Sequence, residues 1–192
     1  MNKKLNEIAT IQMGFSFRSK LNQNEKGNVS IIQMKDFADG NLINCDYLLK
    51  IKDSKIKDSH LVKDKDIIFK SRGLSIESAI ALNISGKVIV AAPLFRIRVN
   101  DANNILPEYL NWYISQGNAQ SFFRRMTEGS ALKMVNKKSL GDLEVEIPSL
   151  EKQKQIIELS TLANKEDAIM KELLNKKKKY ISKILLNYAT GE

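Results

Sequence analysis

The feature that most constrains this chain is what its last quarter lacks: from Ser149 onward there is no glycine or proline until Gly191, and Lys, Glu, Leu and Ile dominate. A run without backbone breakers and rich in straight-chain residues predicts one long helix, rising ~1.5 Å per residue to a length on the order of 55 to 60 Å. Within it Ile156, Leu159, Ala163, Glu166, Met170, Leu173, Lys177, Tyr180 and Ile184 recur at alternating spacings of three and four, the pattern of a coiled-coil seam. The apolar members, Ile156, Leu159, Ala163, Met170, Leu173, Tyr180 and Ile184, are the expected dimer interface, and Glu166 and Lys177 are polar breaks in it. A stripe this long exceeds what one small domain can cover, so it calls for a partner helix. The four lysines at 176–179 fit a solvated helix face first, with a DNA-backbone contact or a docking surface for an acidic partner as the alternatives.

Residues 1–148 have a different texture, with short apolar runs between turn residues. Leu5, Ile8, Ala9 and Ile11 make a partial helical face and predict a short opening helix stopped at Gly14. Val29, Ile31, Ile32 and Met34 predict a buried strand before a turn at Asp39 and Gly40, with further β structure through Leu42, Ile43, Tyr47, Leu48 and Ile51. Lysine and aspartate interleave through residues 52–66, a loop. Ile67, Ile68 and Phe69 then predict a strand that delivers Lys70, Ser71, Arg72 and Gly73 to the surface. Weak alternation over 76–84 precedes two strands on either side of Pro93, the second with Phe95, Ile97 and Val99 facing inward and Arg96 and Arg98 facing water. Pro107 suits the first position of a helix over 108–126, and a last strand from Leu143 to Ile147 ends at Pro148. The expected fold class is α/β (α+β): a globular unit over 1–148 with a mixed, curved sheet, then a helical dimerisation or spacer region over 149–192.

Several chemistries are excluded. Cys45 is the single cysteine, so there is no internal disulfide and no CxxC metal pair; no metal site is expected. No stretch approaches the ~20 apolar residues that span a bilayer, and the N-terminus has no apolar core of a secretion signal, so a cytoplasmic protein without a membrane partner is expected. The glycines form neither a dinucleotide fingerprint nor a phosphate-binding loop. His60, the only histidine, lies in a Lys/Asp-rich loop with no obvious nucleophile beside it, and Glu144 and Glu146 fall on the solvent side of a strand. No catalytic residue emerges.

The remaining signal is positive charge. Thirty-one Lys and Arg against twenty-two Asp and Glu leave a formal charge of +9, a field that attracts polyanions. The cations concentrate in expected loops: Arg18 and Lys20; Lys35; Lys70 and Arg72; Lys133, Lys137 and Lys138. Lys and Arg neutralise phosphates, and Gln, Asn, Ser and Arg reach base edges, so Gln33, Ser71, Arg72, Ser130 and Asn136 are candidate readers of double-stranded DNA.

In order, Leu5, Ile8, Ala9 and Gly14, the run from Ile31 to Asp36, Asp66 to Phe69 with Arg72 and Gly73, and the exit Gly129, Ser130, Leu140, Leu143, Val145, Ile147, Pro148, Leu150, Gln153 and Ile156 resemble the specificity subunit of type I restriction-modification systems. The likeness covers nearly the whole chain, with Ser149 where the family commonly has a second proline. It implies one target recognition domain and one conserved helix where usual members have two of each, a half-length form. It further implies a homodimer whose antiparallel helices hold two readers apart over a bipartite, palindromic site. Such a subunit has no enzyme activity and no cofactor of its own; S-adenosylmethionine and ATP belong to the methyltransferase (M) and restriction (R) subunits that it positions. Gln153, Ile157 and the polar side of the helix are the places where the M subunit would be sought. The rival reading is a non-catalytic interaction module, an orphan or anti-restriction mimic that occupies the modification subunit without productive DNA recognition.

Overall fold

The computed structural model describes all residues except 18–20, 39–41, 44, 46, 53–55, 74–75, 128–133 and 191–192. The chain divides into two compact units, Met1–Lys154 and Gln155–Glu192. The first unit therefore extends past the sequence boundary at 148 and includes the first turn of the long helix.

The opening segment is β1 (Asn2–Lys4), a single helical turn α1 (Leu5–Ile8) and β2 (Ala9–Met13). The expected opening helix is thus cut short: Leu5 and Ile8 are buried by the helical turn, whereas Ile11 is buried from a strand paired along β10 (Leu94–Val99). Gly14 follows this strand where the backbone passes close to Ala91: a Cβ there would sit 2.6 Å from the Ala91 carbonyl carbon, which calls for glycine.

The remaining strands are β3 (Val29–Ile32), β4 (Phe37–Ala38), β5 (Leu42–Ile43), β6 (Leu49–Ile51), β7 (Ile67–Lys70), β8 (Glu77–Ile80), β9 (Lys87–Val90) and β11 (Glu144–Glu146). Among the described residues they form a mixed sheet in the order β2-β10-β7-β8-β5-β4, a sheet β6-β3-β9, and the pair β1-β11. Most neighbours are antiparallel; β3 with β9 and β5 with β8 are parallel. Ile67, Ile68 and Phe69 are all 0% exposed because β7 lies between β10 and β8 with both faces covered, which explains an apolar run without alternation. One core cluster gathers Ile32, Ile68, Val90 and Leu94, and a second gathers Val29, Ile31 and Ile89.

The alternation along β10 misleads at Arg96. Its side chain is 5% exposed rather than wet: Nη1 donates to the carbonyls of Ser59 and Leu61 (3.1 and 2.6 Å), and Nη2 to Gln12 Oε1 (2.6 Å). Beside it Arg98 pairs with Asp66, itself 1% exposed. Burial lowers the Arg96 pKa, while the Asp66 hydrogen bond raises that of Arg98. The charged stretch before β7 is therefore held to β10 by arginines pointing at its carbonyls.

The expected single helix over 108–126 is two helices, α2 (Pro107–Ile114) and α3 (Gly117–Thr127). Ser115 Oγ and Gln116 Nε2 donate back to the Asn111 and Trp112 carbonyls, and Gln120 Nε2 takes the Ile114 carbonyl, so side chains satisfy the acceptors the break exposes. A short α4 (Lys137–Gly141) leads to β11, and Pro148 precedes α5 (Leu150–Thr190).

Gln153 is the buried residue of α5, at 0% exposure. Its Oε1 accepts from the Leu106 backbone N–H (2.8 Å), and its Nε2 donates to the carbonyls of Asn104 (2.9 Å) and Pro148 (3.0 Å). It is a fixture of the first unit, with no surface to offer a partner. Among the described residues no helix is long and apolar enough to cross a membrane.

Candidate nucleic-acid interface

The strand β7 ends at Lys70, and the next residues pair with a segment far along the chain, at Met134 and Val135. Arg72 and Met134 are antiparallel bridge partners, and the Val135 N–H donates to the Ser71 carbonyl (2.8 Å). This pairing unites two of the cationic groups expected from sequence, Arg72 from one loop and Asn136, Lys137 and Lys138 from the other. Asn136 N-caps α4, its Oδ1 accepting from the Ser139 N–H (2.9 Å). Arg72, Lys137 and Lys138 are exposed, and among the described residues none has a carboxylate partner. Unneutralised cations on the first turn of α4 oppose its dipole, a cost that a bound anion would offset.

Lys137 and Lys138 also line a recess of about 590 Å³ with Asn6, Ala9, Thr10, Ile11, Asn100 and Gly141. Thr10 Oγ1 donates to Asn100 Oδ1 (2.9 Å) on its wall. These neutral hydrogen-bonding groups carry no sequence signal; only the β2–β10 register, which sets Thr10 opposite Arg98 and Ala9 opposite Val99, brings them beside α4. Two further exposed cations, Arg124 and Arg125 in the last turn of α3, precede the same segment and were not singled out from sequence.

Other candidates are placed differently. Ser71 is 0% exposed, and its hydroxyl donates to the Pro93 carbonyl (2.6 Å), so it anchors the loop and presents no atom to a base. Lys70 is partly covered, pairs with Glu77 (3.1 Å) and lies over the Phe37 ring (5.7 Å to its centroid). Gln33 precedes a 3-10 turn, Met34–Asp36, and its N–H donates to Asp36 Oδ2 (2.7 Å); Lys35 is exposed on that turn. Burial raises the Asp36 carboxyl above its ordinary value, against the opposing pull of that backbone bond. Arg18, Lys20, Ser130 and Lys133 lie outside the described residues.

The side chains near His60 suit packing. Its Nδ1 is 3.2 Å from Gln12 Nε2, and its ring meets Phe15 edge-on at 5.6 Å. Because Arg96 can only donate, the Gln12 oxygen is fixed toward it and the Gln12 amide NH2 toward His60.

In the second unit the seam side chains are open to solvent: Leu159 is 68% exposed, Met170 59%, Leu173 58% and Tyr180 66%. Ile156 is partly covered, and Ala163 and Ile184 are exposed. The Lys176–Glu172 ion pair (2.7 Å) is exposed and adds little.

Over residues 1–179 the chain matches the family described as Type I restriction modification DNA specificity domain. No curated protein matches it. Among solved structures, it is similar to a chain from a study of complex assembly and conformational transition of the type I R-M system, with a TM-score of 0.73 at 17% identity, covering 96% of this chain and 43% of that one. The HsdS subunit from Thermoanaerobacter tengcongensis gives a TM-score of 0.64 at 19% identity, covering 90% of this chain and 39% of that chain. The S subunit of a type I restriction-modification system from M. genitalium gives 0.57 at 12% identity, covering 93% and 42%. At these identities the likeness shows a shared fold, and the chain spans less than half the length of each of these solved chains.

Proposed function

The chain belongs to the family of type I restriction modification DNA specificity domains, and from that premise we propose that it reads one half of a bipartite DNA site and acts as a homodimer, closed through α5, on a palindromic target. The family's part in restriction-modification is recognition rather than catalysis. The observation that carries the reading is the exposed set Arg72, Asn136, Lys137 and Lys138, joined by the pairing of residues 71–72 with 134–135 and free of carboxylate partners among the described residues. Cations of this kind hold phosphates, and the Asn and Arg among them have the donors that base edges take.

A two-fold dimer reads inverted half-sites, because protein symmetry is mirrored in the DNA, and the exposed seam of α5 supplies the self-complementary surface. The dimer then positions the M and R subunits, in the cytoplasm. S-adenosylmethionine and ATP are held by those partners, while this chain supplies binding and orientation.

The test is a gel-shift titration at several salt concentrations, with the chain alone and with its co-purified methyltransferase, followed by mapping of methylated adenines. Salt-sensitive, sequence-selective retention with paired, inverted half-sites supports the reading. Binding of the methyltransferase without sequence-selective retention overturns it and leaves an interaction module.

A further inference from the structure

We propose that Met134 is a specificity-determining residue that contacts the C5-methyl group of a thymine next to the base met by Arg72; the inference rests on the DNA-reading function above. Directly opposed residues of an antiparallel pair project from the same face, and Arg72 and Met134 are such a pair. Their neighbours face the other way: Ser71 is 0% exposed and Val135 1%. The inward side is pinned by Ser71 Oγ on the Pro93 carbonyl (2.6 Å) and by the Val135 N–H on the Ser71 carbonyl (2.8 Å). The outward side therefore presents a guanidinium and a thioether side by side on a braced backbone, with Arg72 exposed and Met134 39% exposed.

The two tips read different things. A guanidinium takes the O6 and N7 acceptors of guanine as a pair of hydrogen bonds, while the one apolar feature of the major-groove edge is the thymine methyl. A thioether is the flexible apolar tip that adapts to such a contact. Its setting favours nucleic acid over an apolar protein partner, because Lys137 and Lys138 follow three and four residues later without carboxylate partners among the described residues.

The experiment uses the full chain with its methyltransferase and the duplex defined by methylation mapping, with uracil replacing thymine one position at a time. Removing the contacted methyl is expected to weaken binding about fourfold at one position per half-site, the effect of one buried methyl-sized group. Met134→Ala abolishes that difference and binds thymine and uracil duplexes alike, whereas Met134→Leu and Arg72→Lys keep it. Selective binding that is indifferent to uracil at every position, a target without thymine in its half-sites, or a Met134→Ala protein that still distinguishes the two duplexes overturns the role of Met134 and leaves DNA recognition standing. Loss of all sequence selectivity in the unaltered protein overturns the recognition reading itself.

Discussion

Asp66 receives the guanidinium of Arg98 edge-on, with Nε on Oδ1 and Nη2 on Oδ2, both at 2.7 Å. The same carboxylate takes the Lys63 N–H (2.7 Å), and Arg96 Nε approaches it to 3.8 Å. A single buried acid thus faces two arginines. Asp66→Asn leaves their charge uncompensated and is expected to destabilise the first unit by about 3 to 5 kcal/mol, read as a loss in chemical-denaturation midpoint. An unchanged midpoint would sink this account of β10.

Gln153 satisfies one backbone N–H and two carbonyls from the interior. Gln153→Ala orphans all three, and a loss of roughly 2 to 4 kcal/mol is expected from the cost of unmade buried hydrogen bonds. Surface substitutions at Glu151 or Lys152, both exposed, serve as controls and leave thermal unfolding within about 0.5 kcal/mol of the parent.

Tyr109 is 3% exposed and donates its hydroxyl to the Glu146 carbonyl (2.6 Å). Burial, chiefly, pushes its phenol from 10.0 up to about 12. A group whose folded pKa is raised keeps its proton longer when folded. Its contribution is complete below the unfolded value of 10.0 and is lost as pH rises toward about 12. Alkaline melts of Tyr109→Phe should therefore lack this part of the slope between those values, while starting from a stability lower by about 1 to 3 kcal/mol for the unpaired carbonyl.

Leu173 sits in the exposed seam of α5 at 58% exposure. Leu173→Asp is expected to weaken self-association at least tenfold in sedimentation velocity while helicity by circular dichroism stays near the parent value. Equal dissociation constants would remove this seam from the interface.

Arg72→Ala should lower affinity for the cognate duplex by about 1 to 3 kcal/mol and for random duplex much less, as befits a base contact. Lys137→Ala or Lys138→Ala should weaken both alike and reduce the slope of log K against log salt by roughly one each. The reverse assignment is readable in the same titration.

Much of this architecture was legible in the sequence where one physical signal dominated. The breaker-free run gave α5, the apolar run Ile67, Ile68, Phe69 gave β7, and Pro148 marked the end of β11. The reading failed where tertiary partners override local pattern. Period-two alternation put Arg96 in water because nothing local announces that the carbonyls of Ser59 and Leu61 wait for it. Ser71 looked like a base reader because a hydroxyl beside arginine in a loop is indistinguishable from one that anchors the loop to Pro93. Of the candidate interface, the cations were visible one by one; that Arg72 lies opposite Met134 depends on a long-range pairing that no spacing encodes.

The pairing of β1 with β11 sets Asn2 opposite Glu146, and the Ile147 N–H donates to the Met1 carbonyl (2.9 Å). Everything between those residues leaves from and returns to the same spot. The two ends of the segment are therefore tied to each other, and the chain leaves from that tie through Pro148 into α5. A change within that segment that spares the β1–β11 pairing thus leaves the starting point of α5 where it is.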